Sequence, residues 1–307
     1  MTTQRITGER ITWVNITDPT IHDVGWLKRN YSFFHPLNLE DVISHIERPK
    51  VDDEGDYLFV VMHFPLWDPV TRLSRASEVN FFVGRNFIVT IHDGVLKPLN
   101  QLFTAANTRP EERQNLLGKS AGHAFYVIID RLVDYIFPIL YKLESNIRSL
   151  EERIFDESAS AEIIRDIAIV RRDAIALRRI IRQQVPILEA LERTRTPVIH
   201  EELEEFFSDL LDHIQRARDI IDEDAEIVTG ISDTADTLFS HRLNNIIRIL
   251  TVFSVIMLPL TFISSVFGMN VKFPFDAEHP DTFLVISGVM LVITLVMLFY
   301  FRRRRWL

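Results

Sequence analysis

Two stretches near the end of the chain decide the fold: ILTVFSVIMLPLTFISSVF at residues 249–267 and TFLVISGVMLVITLVMLFYF at residues 282–301. Neither holds a charged residue across its 19 and 20 positions. A helix needs about 20 apolar residues to cross the hydrocarbon core of a bilayer. The pair therefore predicts a transmembrane hairpin: first span 249–267, outer loop 268–281, second span 282–301. Two buried core helices would be the alternative, but charge-free runs of this length are unusual in soluble cores. Arg302–Arg305 follow the second span directly, in a basic tail at 302–307. Positive charge flanking a span stays cytoplasmic. With an even number of spans, both termini are expected in the cytoplasm of a multi-pass inner (plasma) membrane protein. The first ten residues hold no apolar signal-peptide region.

The remaining composition is globular: 307 residues, 47% hydrophobic and 25% charged. That is enough apolar matter for a core and argues against bulk disorder. The absence of cysteine removes disulfides, thiolate zinc sites, iron–sulfur clusters and cysteine nucleophiles. Net charge is −9, from 34 basic and 43 acidic residues, and without Arg302–Arg305 the acids outnumber the bases 43 to 30. A phosphate-driven nucleic-acid binder would lean the other way, so no nucleic-acid partner is expected. No GxxxxGK[ST], GxSxG, HExxH or glycine-rich loop occurs, which speaks against an enzyme.

Residues 1–115 read as a small α/β domain. Tyr57–Phe64 and Phe87–His92 are rich in β-branched and aromatic residues, as strands are; Thr12–Ile16 and Glu78–Val83 are weaker candidates. Helices are expected at Ile21–Asn30 and Leu37–Ile46. Residues 116–200 read as a helical hairpin, Gly122–Phe155 and Ala159–Arg195, ending where ThrArgThrProVal at 194–198 breaks the pattern. From 201 onward a stalk helix, residues 201–248, runs into the first span. Leu203, Phe207, Leu210, Ile214, Ala217, Ile221, Val228, Ile231, Ala235 and Leu238 recur at steps of three and four, with Asp224 in the single gap. This is a heptad seam, expected to supply an association surface between chains. One glycine, Gly230, costs a helix only about 1 kcal/mol, so 201–267 is expected as one helix of about 100 Å. The fold class is thus an α+β cytoplasmic domain, a long stalk helix and two C-terminal transmembrane helices.

The first span carries a polar stripe. Asn244, Thr251, Ser254, Thr261 and Ser265 share one face with Ile247 and Leu258. Small hydroxyl residues pack helices together in membranes. They also suit a pore wall interrupted by apolar rings at Ile247 and Leu258, and such rings can gate by dewetting. Two spans cannot enclose a pore, so the second reading requires an oligomer. The second span offers only Ser287, Gly288 and Thr294 and reads as lipid-facing. Asp276, Glu278 and Asp281 outnumber Lys272 in the outer loop, and an acidic mouth concentrates cations.

Gly268-Met269-Asn270 stands at the end of the first span. With a two-helix C-terminal hairpin and a basic end, it resembles the signature of CorA-type divalent metal-ion transporters. ProLeuThrPheIle at 259–263, HisProLeuAsnLeuGluAsp at 35–41, ArgProLysVal at 48–51 and PhePheSerAspLeuLeuAspHis at 206–213 extend the resemblance over nearly the whole chain. The resemblance implies a funnel-shaped homopentamer in membrane lipid, with the first span lining the pore and Gly268, Met269 and Asn270 forming the selectivity filter. It implies transport of Mg²⁺, with Co²⁺ and Ni²⁺. Mg²⁺ gives up its water reluctantly, so neutral Asn270 carbonyls would hold it through its waters. A thioether is too soft for this ion, so Met269 reads as packing. The resemblance further implies regulatory Mg²⁺ sites at Asp41 and Asp209, meeting across neighbouring subunits, and at Asp233. His213 reads as a stalk surface residue.

One departure stands out. Residues 271–280 read ValLysPheProPheAspAlaGluHisPro, where Mg²⁺-type members usually carry a MetProGluLeu-like loop. That keeps open the zinc-transporting branch of ZntB type, whose Zn²⁺ or Co²⁺ would suit the acidic residues and His279. A membrane-anchored coiled-coil scaffold without transport is the reading from another class; it would need neither the polar stripe nor Gly268-Met269-Asn270.

Overall fold

The computed structural model describes residues 3–44, 47–155, 161–196, 198–199, 203–269, 280–304 and 306. The chain divides into two compact units, Met1–Ser232 and Asp233–Leu307.

The first unit is built on a six-stranded sheet. Its strands are β1 (Thr3–Thr7), β2 (Thr12–Thr17), β3 (Lys50–Asp53), β4 (Tyr57–Asp68), β5 (Leu73–Gly84) and β6 (Phe87–His92). They lie in the order β1-β2-β6-β5-β4-β3. Only β2 and β6 run parallel; the other neighbours are antiparallel. Side chains alternate between the faces of a strand. Phe87, Val89 and Ile91 of β6 join Val14, Tyr57, Phe59, Val61 and Phe82 in a core with Leu27 of α1 (Ile21–Asn30) and Leu39 of α2 (Pro36–Asp41). The opposite face receives helices: Trp13 stacks edge-on with Phe103 of α3 (Lys97–Thr108) at 4.8 Å, and Phe81 meets Phe125 of α5 (Ala121–Asp134) at 5.2 Å. Burial on both faces explains why β4 reads TyrLeuPheValValMetHisPhe without polar alternation.

The expected strands are present, and β4 and β5 are longer than their apolar runs. Each continues into a hairpin whose outer residues are only partly buried. Edge strands β1 and β3, rich in polar residues, carried no apolar signal, and neither did α4 (Pro110–Leu117); α3 did, in Leu99, Leu102, Phe103 and Ala106 at three-four spacing. Helix α2 ends at Asp41; residues 45 and 46, the end of the expected helix, lie outside the described residues. The expected helix at 122–155 is divided at Tyr135 into α5 and α6 (Ile136–Ile154). Pro138 supplies the reason: it has no N–H for the Asp134 carbonyl, and its ring crowds that carbonyl. Helix α7 spans Ala161–Arg193.

Helix α8 runs unbroken over Glu204–Phe267, through both Gly230 and Pro259. Its heptad seam is buried within the chain, which corrects the expectation of an association surface. Phe207, Leu210, Ile214, Ala217, Ile221 and Val228 are fully buried. Phe207 lies against Phe125 and Tyr126 of α5. Asp222 clamps α8 to α7 by accepting hydrogen bonds from Arg178 Nε at 2.7 Å and Arg182 Nη2 at 2.9 Å. At the entry to α8, Gly122 allows close approach, because a Cβ there would stand 2.4 Å from the Val198 carbonyl oxygen.

The second unit holds the end of α8 and α9 (Pro280–Arg303). Both are long and apolar enough to cross a membrane.

Candidate functional site

Within the second unit, each helix shields one stripe. On α8 it comprises Arg248, Val252, Ile256, Pro259, Ile263 and Val266, of which Val252 is buried. On α9 it comprises Ile286, Met290, Ile293, Met297 and Phe301. Arg304 and Trp306 share a cleft of about 460 Å³ with Asn244, Ile247, Arg248 and Thr251, so the end of α9 lies beside the start of the span.

The sequence-predicted polar stripe occupies a different face. At 100° per residue it lies about a third of a turn from the shielded stripe. Asn244, Ser254, Thr261 and Ser265 are exposed, Ile247 is 51% and Leu258 72% exposed, and Thr251 is half-buried. Thr251 Oγ1 donates to the Ile247 carbonyl at 2.7 Å and Thr261 Oγ1 to the Met257 carbonyl at 2.8 Å. Each hydroxyl proton is thus spent inside the helix, and the oxygen lone pairs remain as acceptors. Acceptors are what a hydrated cation presents its protons to.

Helix α8 ends at Phe267. The Gly268 N–H reaches the Ser264 carbonyl at 2.9 Å and the Met269 N–H reaches that of Val266 at 3.2 Å. A Cβ on Gly268 would stand 3.2 Å from the Ser264 oxygen, so glycine relieves crowding at this exit. Asn270 and the loop residues Lys272, Asp276, Glu278 and His279 lie outside the described residues.

A second constellation lies in the first unit. Asp130 and Asp134 are one turn apart on α5, so they share a face. With His213 of α8 they offer three ligand atoms all within 4.8 Å of one another. His213 Nδ1 stands 4.0 Å from Asp134 Oδ1, and Nε2 stands 3.9 Å from Asp209 Oδ1. Nδ1 is buried without a hydrogen-bond partner among the described residues. Burial raises the Asp130 pKa, and Asp134 and Asp209 push it the same way, against the pull of His213 and Arg131. Two carboxylates and an imidazole with ligand atoms this close suit a divalent cation, which would relieve their repulsion, and Asp209 stands on the other side of the His213 ring.

This cluster revises the reading of single residues. His213, partly exposed on the stalk, stands beside Asp130 and Asp134, two residues the sequence reading did not single out. The i, i+4 spacing of Asp130/Asp134 and of Asp209/His213 was the available signal, but only packing of α5 on α8 joins the two pairs. Asp41 is not in that set. It accepts from Lys50 Nζ at 2.8 Å, and Lys50 also bridges to Asp52 at 2.8 Å. Burial lowers the Lys50 pKa, but the hydrogen bonds that Lys50 donates to these two carboxylates, with their charge, more than offset it, and the net shift is upward. Asp233 is exposed on α8.

The comparisons with known proteins agree with this architecture. The family described as CorA-like Mg2+ transporter protein matches residues 8–303, and the chain belongs to that family. The cobalt/magnesium transport protein CorA of Thermotoga maritima is 29% identical over 299 residues, covering 96% of this chain and 83% of the relative. Zinc transport protein ZntB of Pectobacterium atrosepticum is 17% identical over 303 residues, covering 98% and 90%. The solved structure of the CorA magnesium transporter from Methanocaldococcus jannaschii superposes with a TM-score of 0.83 at 22% identity, covering 98% of this chain and 94% of that one. The protein is therefore a membrane-bound divalent metal-ion transporter of the CorA family and not an enzyme.

Proposed function

We propose that this protein carries Mg²⁺, and with it Co²⁺ and Ni²⁺, across the inner membrane into the cytoplasm, as a homopentamer in membrane lipid with both termini cytoplasmic. The observation that carries the reading is the stripe Asn244–Ser265: from Ser254 to Ser265 its residues are exposed, apart from the shielded row of α8, and the Thr251 and Thr261 hydroxyls spend their protons within the helix. Copies of α8 arranged about an axis would line a pore with Asn244, Thr251, Ser254, Thr261 and Ser265, constricted at Ile247 and Leu258. Gly268, Met269 and Asn270 would form the outer filter, with Asn270 holding a hydrated dication weakly enough to release it. Arg302–Arg304 would anchor the hairpin at the cytoplasmic surface.

Regulation follows from the carboxylates of the first unit. A dication at Asp130, Asp134, Asp209 and His213 would hold α8 against α5. Asp41 of a neighbouring subunit would contribute only by parting from Lys50, which makes the Asp41–Asp209 bridge a competition between metal and lysine. Asp233 is the remaining candidate on the stalk.

Two observations favour a second reading, Zn²⁺ transport: the likeness to ZntB, and the sequence of 271–280, which lacks a MetProGluLeu-like stretch. Uptake into proteoliposomes decides between them. The expected result is Mg²⁺ flux with Co²⁺ and Ni²⁺ competing, lost in Asn270→Ala while the oligomer stays assembled. Flux of Zn²⁺ alone would overturn the Mg²⁺ assignment, and absence of any metal flux would favour a scaffold role.

A further inference from the structure

We propose that the cleft between edge strand β1 and helix α1 binds a small phosphorylated ligand carrying a planar ring, the chemical class of nucleoside phosphates. The cleft has a volume of about 540 Å³, within the usual range for small-molecule sites. His22, Trp26 and Arg29 line it at i, i+4 and i+7, a single face of α1. Thr3 and Arg5 face them from β1, two residues apart on one side of the strand.

The charges carry the argument. Arg5 and Arg29 are exposed, and neither makes an ion pair with a described residue. Two guanidinium groups without an ion pair among the described residues share one concavity with a single carboxylate, in a chain whose net charge is −9. Asp23 is the one carboxylate among the lining residues, and it is committed elsewhere. It is 7% exposed and accepts from Thr3 Oγ1 at 2.8 Å, Thr20 Oγ1 at 2.6 Å and the Thr20 N–H at 3.0 Å. These bonds tie β1 to α1 and cap the helix, so the cleft is braced and the helix N-terminus is already occupied. An anion would be held by the arginines, whose planar forks match phosphate oxygens two at a time. Trp26, half-buried and braced edge-on by Tyr31 at 6.2 Å, supplies an apolar wall between them for a ring.

The test uses the full chain in detergent with a chelator present, so that metal transport has no part in it. AMP, ATP and inorganic phosphate are titrated separately and followed by calorimetry and tryptophan fluorescence. Nucleotides should bind saturably and perturb the emission. Arg5→Ala with Arg29→Ala should weaken binding about tenfold or more, and Arg29→Lys should restore part of it. Trp26→Leu should weaken the nucleotides while leaving inorganic phosphate unchanged. Because Arg5 and Arg29 are exposed, the unfolding temperature of the double variant should match the parent. No saturable binding up to about 1 mM, a weak −4 kcal/mol interaction, would overturn the site. So would affinity that survives the double substitution. Equal affinity for AMP and phosphate, or indifference to Trp26→Leu, would overturn the ring-binding half.

Discussion

Helix α8 contains two stretches of apolar residues with the same three-four spacing and opposite fates. Between 207 and 228 the seam side chains Phe207, Leu210, Ile214, Ile221 and Val228 are fully buried. Between 249 and 267, Phe253 is 62%, Leu258 72% and Phe262 67% exposed. Only 6% of the most apolar window of α8, and none of that of α9, is buried within the chain. In water, leaving one such side chain exposed costs about 1.5–3 kcal/mol. A row of them is tolerable only where lipid or another copy of the chain covers it. Spacing alone therefore says which residues share a face, and the neighbouring polarity says what solvent that face meets.

The sharpest way to break this contrast is to charge the exposed stretch. Leu258→Asp should reduce dication flux about tenfold or more, because carboxylates on the narrowest apolar ring would hold a dication too tightly to release it. Normal uptake in proteoliposomes would mean that Leu258 faces lipid.

Truncating matched phenylalanines comes next. Phe207→Ala should cost the first unit about 3–5 kcal/mol by opening a cavity. Phe253→Ala should leave that unit's denaturant midpoint unchanged, since Phe253 is not part of its core. Equal losses would erase the distinction between the two halves of α8.

A smaller effect tests the seam's one polar member. Asp224 is 5% exposed, its Oδ2 has no hydrogen-bond partner among the described residues, and burial first, then Glu144 and Glu223, raise its pKa to about 6. A carboxyl whose folded pKa lies above its unfolded value stabilises the fold when protonated. That contribution is full below about pH 4 and is lost as pH rises through about 6, by at most about 3 kcal/mol. Asp224→Leu should flatten this part of the stability–pH curve and raise the melting temperature at pH 7.5. An unchanged pH slope would show that Asp224 is ionised at no cost.

The smallest expected change concerns the proposed dication site at Asp130, Asp134 and His213. Asp134→Asn with His213→Ala should weaken Mg²⁺-dependent protection of the first unit from proteolysis, shifting the half-protecting concentration about tenfold. Asp41→Asn with Asp209→Asn is the companion test, and a shift in this pair alone would move the regulatory site to the subunit boundary.

The two spans, the continuity of the long helix and the central strands were legible in the amino-acid sequence, because each is a one-dimensional pattern. Charge-free length, helical spacing and β-branched runs need no partner to be read. Gly268-Met269-Asn270 likewise stands out by its place at the end of a span. What covers each face was decided only in three dimensions. The seam of α8 is filled by α5 and its neighbours, so the same heptads that signal a coiled coil serve an internal core. His213 stands beside two carboxylates only because α5 brings Asp130 and Asp134 to it across about 80 residues of chain, and Asp41 is tempered by Lys50, which β3 delivers. Side-chain chemistry and local period are written in the sequence. Which groups meet depends on packing between distant elements, and the composition of either element alone does not contain it.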